Sequence, residues 1–537
     1  SVDVTLNDVG LYFYYFDLYT DFRRIVRGPD NCGVVSWQDG EKWQITVYEA
    51  DFRTPETFKG KVFYQIFPDR FCEGVENKPM PFPDRLYQAD KHAEPFWQPN
   101  ETGGHLNEDY FGGDLKGIQL KLPYLHEMGV DYLYLNPIFE AHSNHRYNTA
   151  DYLNVDPLLG TNEDFETLCK EAAKYGIGIV LDGVFSHTGS DSRYFNREGR
   201  YGEGGAYRDP NSPYRSWYDF DPKYKGGYRS WWGFETLPEV NEETPSFVEF
   251  ITGKGGVIDT WLRRGAAGFR LDVADELPDA FIEKIRTAVK RVSPEKFLLG
   301  EVWEDATTKY GFGHRRTYLL GKGLDSVMNY PCKNAVLDFV KGKPAQQAMN
   351  EILSICEHYP APALNTALNF LSTHDTERAL TVIADEPANG RGREWQSGRN
   401  VSGEAYEEGM LRLRMAYAII YTLPGLPCLY YGDEIGMQGY RDPFNRGYYC
   451  WDSHEERLKP VLAQLAQLRH SCEAFRTGAL RVLRAEGGVL HYQRVGATET
   501  AEIIVNRSEH IIVEPLASGK HTEVNPMGFT IVVEENG

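Results

Sequence analysis

The sequence predicts an α/β protein built around a (β/α)8 barrel of the TIM class. Between residues 61 and 434, runs rich in aromatic and β-branched residues alternate eight times with stretches of helical periodicity. Strand-rich sequence also precedes and follows this region. The alternating region exceeds the roughly 250 residues of a simple barrel, so it must contain insertions.

The first segment, residues 1–57, is predicted to be a short N-terminal β segment. LYFYYFDLYT, GVVSW and WQITVYEADF are rich in aromatic and β-branched residues and are interrupted by Gly and Asp. Pro55 and Gly60 then mark a link to the barrel. Because a complete β-sandwich needs about 100 residues, we expect only part of one.

The barrel is assigned to residues 58–187 and 244–455. Its eight strands are predicted at 61–67, 130–138, 178–185, 266–274, 296–303, 325–330, 366–375 and 426–434. Apolar residues recur at helical spacing between them, most clearly at 116–128, 162–175, 245–264 and 278–292. Pro278 is well placed for the start of the last of these helices.

Two further units complete the predicted domain organisation. Residues 188–243 follow the third strand, show no clear helix and are too long for a simple loop, which predicts an inserted subdomain. After a helix near residues 455–473, the runs ALRVLRAEGGVLHYQRV, AEIIVNR, HIIVEPL and GFTIVVEE predict an antiparallel β domain within residues 456–537.

The composition argues against nucleic-acid and membrane partners. Lys and Arg number 57 and Asp and Glu 78, so the formal net charge is −21, which disfavours anionic polymers and lipid surfaces. No run of about 18 apolar residues could span a membrane. The eight cysteines form no Cys-x-x-Cys pair, which favours free thiols and a cytoplasmic over a secreted location. Ser1 in place of Met is compatible with a removed signal peptide or with none.

Four predicted strands end in charged residues and histidines, on the side of the barrel where active sites lie. In strand order these residues are Asp182 and His187, Arg270 and Asp272, Glu301, and His374 and Asp375. Structural salt bridges would explain one Arg–Asp pair, but carboxylates from four strands are costly to bury without a use. A metal hydrolase is the other functional class, although the sequence has no His-x-His motif.

The spacing of these residues indicates a chemistry. Arg270 and Asp272 are two residues apart, so their side chains share one face of the fourth strand, and we expect Arg270 to hold the pKa of Asp272 low. Glu301 follows one strand–helix–strand step later, which would place two carboxyl groups about 5 Å apart on neighbouring strands. That separation is typical of retaining glycosidases, in which one carboxylate attacks the sugar and the other protonates the leaving oxygen.

The motifs around these residues resemble those of the α-amylase family, glycoside hydrolase family 13. In chain order they are SNHRYNTADY (143–152), DGVFSH (182–187), GFRLDVADE (268–276), GEVW (300–303), FLSTHD (370–375), YYGDE (430–434) and DPFNR (442–446). The resemblance covers residues 61–537. It implies that Asp272 is the nucleophile, Glu301 the general acid/base and Asp375 the residue that stabilises the distorted transition state.

The resemblance also implies a set of substrate-binding residues. They are His145, Tyr147, Asp182, His187, Arg270, Glu276, Trp303 and His374, with Asp442 and Arg446 holding the next sugar on the non-reducing side. For Trp303 the alternative is packing on the barrel rim, and for Glu276 it is capping the following helix. The aromatic residues Tyr228, Trp231, Trp232 and Phe234 could form either the core of the inserted subdomain or a binding platform.

The segment LPEVN (237–241) resembles a signature of neopullulanases, cyclomaltodextrinases and maltogenic amylases. The implied function is retaining hydrolysis of α-1,4 and, as a further option, α-1,6 glucosidic bonds in starch-derived oligosaccharides, pullulan or cyclodextrins. A transglycosidase and a non-catalytic glucan-binding relative are the alternatives, and the latter should have lost one of the three carboxylates. An α-glucan oligosaccharide or polysaccharide is the expected partner, and both a monomer and a homodimer fit the sequence.

No cofactor or metal is expected. In the calcium site that the resemblance implies for α-amylases, Ser186 stands where an Asn is usual and Glu276 where a His is usual. A second calcium site, common in neopullulanase-type enzymes, keeps its Gly112-Gly113-Asp114 turn. Its loop, CEGVENKP (72–79), offers only Glu73, Glu76 and Asn77 as oxygen donors, so the alternative is that Glu73 and Asn77 restore calcium binding.

Overall fold

Eight parallel strands form a closed barrel in the structure, a computed structural model that describes residues 3–19, 23–76, 78, 85–99 and 107–536. In chain order the strands are Phe63–Ile66, Tyr132–Leu135, Gly178–Gly183, Gly268–Leu271, Phe297–Gly300, Ser326–Val327, Leu368–Phe370 and Leu426–Tyr430. The first six pair in sequence, and the eighth pairs with the first and the seventh. A bridge between Met328 and Leu368 closes the ring between the sixth and seventh strands, which confirms the predicted fold class.

Each predicted barrel segment contains one observed strand, but the observed strands are shorter. The predicted segments had included loop residues beyond the strand ends, among them Asp272 and Glu301. The predicted alternation of faces on the fourth strand is confirmed, because Phe269 and Leu271 pack into the main hydrophobic core. Arg270 points into the barrel, toward the ring of Tyr134.

Helices surround the barrel and connect its strands. Up to residue 364 the helices are Leu115–Leu120, Leu122–Glu127, Asn162–Lys174, Pro245–Thr252, Val257–Arg264, Asp279–Val292, Tyr330–Lys341, Ala345–His358 and Ala361–Leu364. Those beyond it are Ala379–Ala384, Arg393–Gln396, Gly403–Thr422, Leu458–Ser471 and Ala474–Thr477.

Two helices predicted as continuous are each broken into two. The segment 116–128 is interrupted at Lys121, just before Pro123, which has no N–H for the preceding turn. The segment 245–264 is interrupted between Gly253 and Gly256, where Gly255 takes a φ of 79°. The period of the apolar residues continues across both breaks, which is why the sequence predicted single helices.

The inserted subdomain carries only short turns of 3-10 helix, at Arg215–Trp217, Lys225–Gly227 and Trp231–Gly233. Its own aromatic core forms around Phe195, whose ring lies 4.8 Å from Tyr218 and 4.6 Å from Tyr228. An antiparallel bridge from His187 to Glu239 ties the LPEVN segment to the loop after the third barrel strand. The subdomain therefore forms one wall above the barrel mouth.

Small antiparallel sheets flank the barrel. The N-terminal strands are Gly10–Tyr14, Phe16–Leu18, Arg23–Arg27, Gly33–Ser36 and Trp43–Val47; the C-terminal strands are Ala479–Glu486, Val489–Val495, Glu499–Asn506, Ile512–Pro515, His521–Val524 and Gly528–Glu535. Short antiparallel pairs also join Phe139–Ala141 to Thr149–Val155 and Tyr310–Gly311 to His314–Arg315, and a short parallel pair joins Leu86–Tyr87 to Asp109–Tyr110. Within the described part of the chain, no helix is both long and apolar enough to cross a bilayer.

Candidate active site

A cavity of about 1480 Å³ opens at the carboxyl ends of the barrel strands. It is lined by eleven of the predicted site residues, namely His145, Tyr147, His187, Asp272, Glu276, Glu301, Trp303, His374, Asp375, Asp442 and Arg446. The other two, Asp182 and Arg270, are buried beneath it. The tertiary structure thus brings the predicted residues to one place, in two layers.

Arg270 is the centre of the lower layer. Its Nη1 donates hydrogen bonds of 2.8 Å to Oδ1 of Asp182 and to Oδ1 of Asp272. Its Nη2 lies 2.7 Å from Oε2 of Glu301. One fully buried guanidinium therefore joins carboxylates that come from three neighbouring strands.

The expectation that Arg270 holds the pKa of Asp272 low is wrong. Burial raises the pKa of the Asp272 carboxyl well above its ordinary value; Arg270 opposes this, and the charges of Glu301 and Asp182 add to it. Three buried carboxylates share one positive charge, so ionisation of all three would leave net negative charge in a buried cluster. The surroundings of Asp272 thus resist its ionisation in the substrate-free protein.

Glu301 is held from three sides. Oε2 accepts a 2.9 Å hydrogen bond from the backbone N–H of Val273, in addition to its contact with Arg270. Oε1 accepts a 2.9 Å hydrogen bond from the indole of Trp303. Val273 takes a φ of 39°, in the left-handed region that β-branched residues rarely adopt, so the turn after the nucleophile is strained. That turn directs the Val273 N–H at Glu301.

A hydrogen-bonded chain connects the cavity wall to the lower layer. The Tyr147 hydroxyl donates to Oδ2 of Asp182 at 2.7 Å and lies 2.6 Å from Nε2 of His374. The side-chain amide of Gln65 donates to Nδ1 of His374 at 3.0 Å, which leaves the ring proton on Nε2. Burial and the charge of Arg446 keep the pKa of His374 well below its ordinary value, so the ring is neutral and can donate from Nε2.

Two other histidines of the wall are also neutral. Burial lowers the pKa of His145 to about 3 and that of His187 to about 4. His187 donates from Nε2 to the backbone carbonyl of Tyr147 at 3.1 Å and faces the Ser186 hydroxyl with Nδ1. These histidines therefore add hydrogen-bonding groups to the wall without adding positive charge.

Asp375 faces the cavity from the seventh strand. Its Oδ2 lies 3.0 Å from Nε2 of His374 and its Oδ1 3.5 Å from Nη2 of Arg446. Burial and the charge of Glu301 raise the pKa of the Asp375 carboxyl to about 7, against the opposing charge of Arg446. An ionised Asp375 is therefore costly to the folded protein at neutral pH.

We expect Asp375→Asn to stabilise the protein at high pH but not at low pH. In the unfolded protein the Asp375 carboxyl ionises near pH 4. Between pH 4 and about 7 this ionisation stabilises the unfolded state relative to the folded state, because in the folded protein the same carboxyl stays protonated. Removing the charge should add on the order of 2 kcal/mol at pH 8. Melting temperatures of the variant and the parent should differ by much more at pH 8 than at pH 4.5; an equal difference at both would contradict this.

A pair of opposite charges lines the cavity beside Asp375. Nη1 of Arg446 lies 2.9 Å from Oδ1 of Asp442, and Nη2 of Arg393 lies 3.7 Å from Oδ2 of the same carboxylate. Asp442 is partly exposed, so its carboxylate can reach a ligand. Arg393 was not predicted, because its segment lies far from every motif.

The aromatic residues divide between core and cavity. Tyr228 is buried in the core of the inserted subdomain, whereas Trp232 and Phe234 are exposed and line the cavity. Trp303 stacks one face on Tyr330, with ring centres 4.2 Å apart, yet is 45% exposed. The core interpretation therefore applies to Tyr228, and Trp303 packs on the rim with one face. A sugar-binding role for Trp232, Phe234 and the exposed face of Trp303 stays a prediction.

Two buried residues of the lower layer were missed. The Tyr134 hydroxyl donates to Oδ2 of Asp182 at 2.8 Å, and Gln65 sets the ring proton of His374 as described above. A polar group inside an otherwise apolar parallel strand, as in YQIF and YLYL, was the available signal. Asp433 and Glu434 are buried behind the eighth strand, where they accept hydrogen bonds from Tyr417 and Tyr64 among others.

Two of the carboxylates considered for calcium, those of Asp114 and Glu73, are engaged by donors of the chain itself. Asp114 accepts hydrogen bonds at Oδ1 from the N–H groups of Gly117 and Gly74 and at Oδ2 from that of Val75. Nζ of Lys78 lies 2.5 Å from Oδ2 of Asp114. Asp114 thus caps the helix that follows it and pairs with an ammonium group.

Lysine side chains also contact Gly112 and Glu73, two other residues of this candidate site. Lys78 also donates to the backbone carbonyl of Gly112 at 2.6 Å, and Nζ of Lys91 lies 2.9 Å from Oε2 of Glu73. Asn77 lies outside the described residues. Two ammonium groups therefore stand beside Asp114 and Glu73, where a cation would meet its oxygen ligands, so these two carboxylates do not fit a calcium ion.

A parallel barrel whose fourth and fifth strands are followed by paired carboxylates, with a third carboxylate after the seventh, is the arrangement typical of barrel glycoside hydrolases. Residues 65–477 match the alpha-amylase catalytic domain. The chain belongs to the α-amylase family, glycoside hydrolase family 13.

The relatives are enzymes that act on α-glucans. The chain is 34% identical to an amylopullulanase from Thermoanaerobacter thermohydrosulfuricus, with 90% of the chain but only 35% of that protein aligned. It thus spans about a third of that relative's length. A cyclomaltodextrinase from Geobacillus thermopakistaniensis is 32% identical, with 87% of the chain and 72% of the relative aligned.

Solved structures similar to this chain carry names of the same kind. The ligand-free cyclic α-maltosyl-(1→6)-maltose hydrolase from Arthrobacter globiformis superposes with a TM-score of 0.76 at 28% identity, over 90% of the chain and all of that structure. The type III pullulan hydrolase from Thermococcus kodakarensis gives 0.73 at 27% identity, over 96% of the chain and 88% of that structure.

Proposed function

We propose that this chain is a retaining hydrolase of α-1,4-glucosidic bonds. The observation that carries the proposal is the position of Asp272 and Glu301 at one level on neighbouring strands. Leu271 and Gly300 are in register, and Arg270 contacts both carboxylates that follow them. Adjacent strands lie about 4.8 Å apart, which matches the carboxylate separation of retaining enzymes.

The reaction would then proceed through two displacements. First, an oxygen of Asp272 attacks C1 of the glucosyl residue, the glycosidic oxygen takes the proton of Glu301, and the C1–O bond breaks. Next, the Glu301 carboxylate takes a proton from a water molecule, whose oxygen attacks C1 and releases the Asp272 carboxylate. Asp375, with His374 and Arg446 beside it, would bind the distorted ring and favour the transition state.

We propose short, branched or cyclic α-glucans as the substrates. The cavity is large enough for several sugar rings, and the inserted subdomain with its LPEVN segment lines one side. Relatives named cyclomaltodextrinase and neopullulanase, and structures named for a cyclic maltosyl-maltose and for pullulan, support this class. Activity toward α-1,6 bonds is part of the same proposal.

Product analysis on pullulan, soluble starch and β-cyclodextrin tests the proposed function. We expect pullulan to yield panose or maltose as the main product and cyclodextrin to be opened, with the α-anomer formed first. The Asp272→Asn variant is the control for contaminating activity. An inverted product, or cleavage of long starch alone, would contradict the proposal; products longer than the substrate would favour a transglycosidase.

We also propose that the protein works without calcium, because Lys78 supplies the positive charge beside Asp114. Exhaustive dialysis against a chelator should leave activity and melting temperature unchanged, and metal analysis should find less than one calcium per chain. Lys78→Met should lower the melting temperature whether or not chelator is present. Stoichiometric calcium, or a fall in melting temperature with chelator, would contradict this.

A further inference from the structure

Two exposed aromatic side chains of the inserted subdomain overhang one end of the catalytic cavity. Trp232 is 77% exposed and Phe234 is 57% exposed, and both line the cavity. Trp232 has a φ of 51°, in the left-handed region where an aromatic residue is strained. A large apolar ring kept exposed by a strained backbone is unfavourable unless it has a use.

Glu276 holds this part of the subdomain against the barrel. Its Oε2 accepts a 2.7 Å hydrogen bond from the indole N–H of Trp231, and its Oε1 accepts a 2.8 Å hydrogen bond from that of Trp232. Glu276 ends the short turn Ala274–Glu276, directly after the turn that carries the nucleophile. Each carboxylate oxygen is therefore engaged by an indole, and the side chain neither caps the following helix nor lies free for a sugar.

This end of the cavity lies on the side of the general acid. Asp275, next to Glu276, pairs with Lys309 at 3.2 Å, and Lys309 pairs with Glu304 at 2.6 Å. Glu304 follows Trp303, whose indole donates to Glu301. Asp442 and Arg446 instead lie beside Asp375, which follows the seventh strand. Since the general acid protonates the leaving oxygen, the sugar that leaves is the one beside Glu301 and this aromatic wall.

We propose that Glu276 is a positioning residue that clamps Trp231 and Trp232, and that the clamped Trp232 ring is the stacking surface for a glucose ring of the leaving group. The ring of His187 supports the clamp from below, 5.3 Å from that of Trp231. The proposal rests on the proposed function, because it assigns a role within the binding of an α-glucan. A flat indole face favours the apolar face of a sugar and tolerates cyclic and branched chains.

The kinetic test compares two substrates that differ only on the leaving side. Maltotetraose places sugar rings there, whereas α-maltosyl fluoride leaves as fluoride and places none. For Trp232→Ala, the ratio of kcat/KM on maltotetraose to that on the fluoride should fall about tenfold. Glu276→Leu should lower the same ratio, and Glu276→Gln, which keeps one acceptor oxygen, should restore part of it. Trp37→Ala, at an exposed tryptophan of the N-terminal segment, is the control and should not change it.

A second readout needs no substrate. Acrylamide quenching of tryptophan fluorescence should increase in Glu276→Leu and increase less in Glu276→Gln, because the released Trp231 indole, half-buried in the parent protein, moves into solvent. Unchanged quenching in Glu276→Leu would overturn the clamp. An unchanged substrate ratio in Trp232→Ala would overturn the stacking surface. If the parent protein cleaves neither substrate, the proposed function fails, while the quenching result still decides whether Glu276 holds the two indoles.

Discussion

Replacing Asp272 with asparagine, or Glu301 with glutamine, is expected to lower kcat by several orders of magnitude while the fold persists. Asparagine cannot form the ester with C1, and glutamine cannot give a proton to the leaving oxygen. Each replacement preserves shape and removes one of the negative charges that share Arg270, so the cluster should not be destabilised. The rate on maltotetraose measures the loss of kcat, and the circular dichroism spectrum shows whether the fold persists.

Asp275→Asn is the matched control. Asp275 lines the same cavity but pairs with Lys309, and its variant should retain the greater part of kcat. Added azide distinguishes the nucleophile from the general acid/base. With Asp272→Ala, azide should displace the leaving group directly and yield the β-glycosyl azide. With Glu301→Ala, azide should displace Asp272 from the covalent intermediate and yield the α-glycosyl azide. Near-normal activity in Asp272→Asn, or one azide anomer from both variants, would contradict the assignment.

Arg270→Met is expected to cost both stability and activity. The guanidinium is fully buried and is the positive group that contacts Asp182, Asp272 and Glu301 together. Its removal leaves three carboxylates in the barrel without that counter-charge, and breaking a buried ion pair in this way costs about 3–5 kcal/mol. Arg270 opposes the rise in the pKa values of Asp182 and Asp272, so both should rise further without it, and the acidic limb of the pH–rate profile should move to higher pH.

Two further variants separate charge from geometry. Arg270→Met combined with Asp182→Asn removes one carboxylate together with the counter-charge and should recover part of the lost stability. Arg270→Lys keeps the charge but lacks the forked nitrogens that reach Asp272 and Glu301 at once, so it should recover stability more than rate. Melting temperature and kcat/KM between pH 4.5 and 8 report both effects. An Arg270→Met variant with unchanged melting temperature and pH profile would show that this role is wrong.

The barrel could be predicted because its signals are local. Each buried strand is a short apolar run, and the residues that follow it are polar, so eight strands were placed correctly from residue patterns alone. The helix breaks at Lys121 and at Gly253–Gly256 were not predicted, since the apolar period runs through them. Arg23–Arg27 and His521–Val524 were missed as strands because charged or polar residues fill most of their positions.

Site residues were predictable to the extent that they follow strands. Asp272, Glu301 and Asp375 could be named because they stand in motifs at strand ends, and the cavity brings them together. Gln65 and Tyr134 could not, because a single polar residue within a buried strand does not reveal its partner. Arg393 lies outside the motifs, and only its position beside Asp442 connects it with the site.

The sequence by itself determined the order of the barrel elements, the family, and the carboxylates on which the proposed chemistry depends, because these are encoded by residues close together in the chain. Only the tertiary structure decided that three carboxylates share Arg270, that Lys78 pairs with Asp114, and that Glu276 accepts two indoles. These partners meet through the closure of the barrel and the folding of its loops. The raised pKa of Asp272 has the same origin, since burial and neighbouring charge depend on several strands at once.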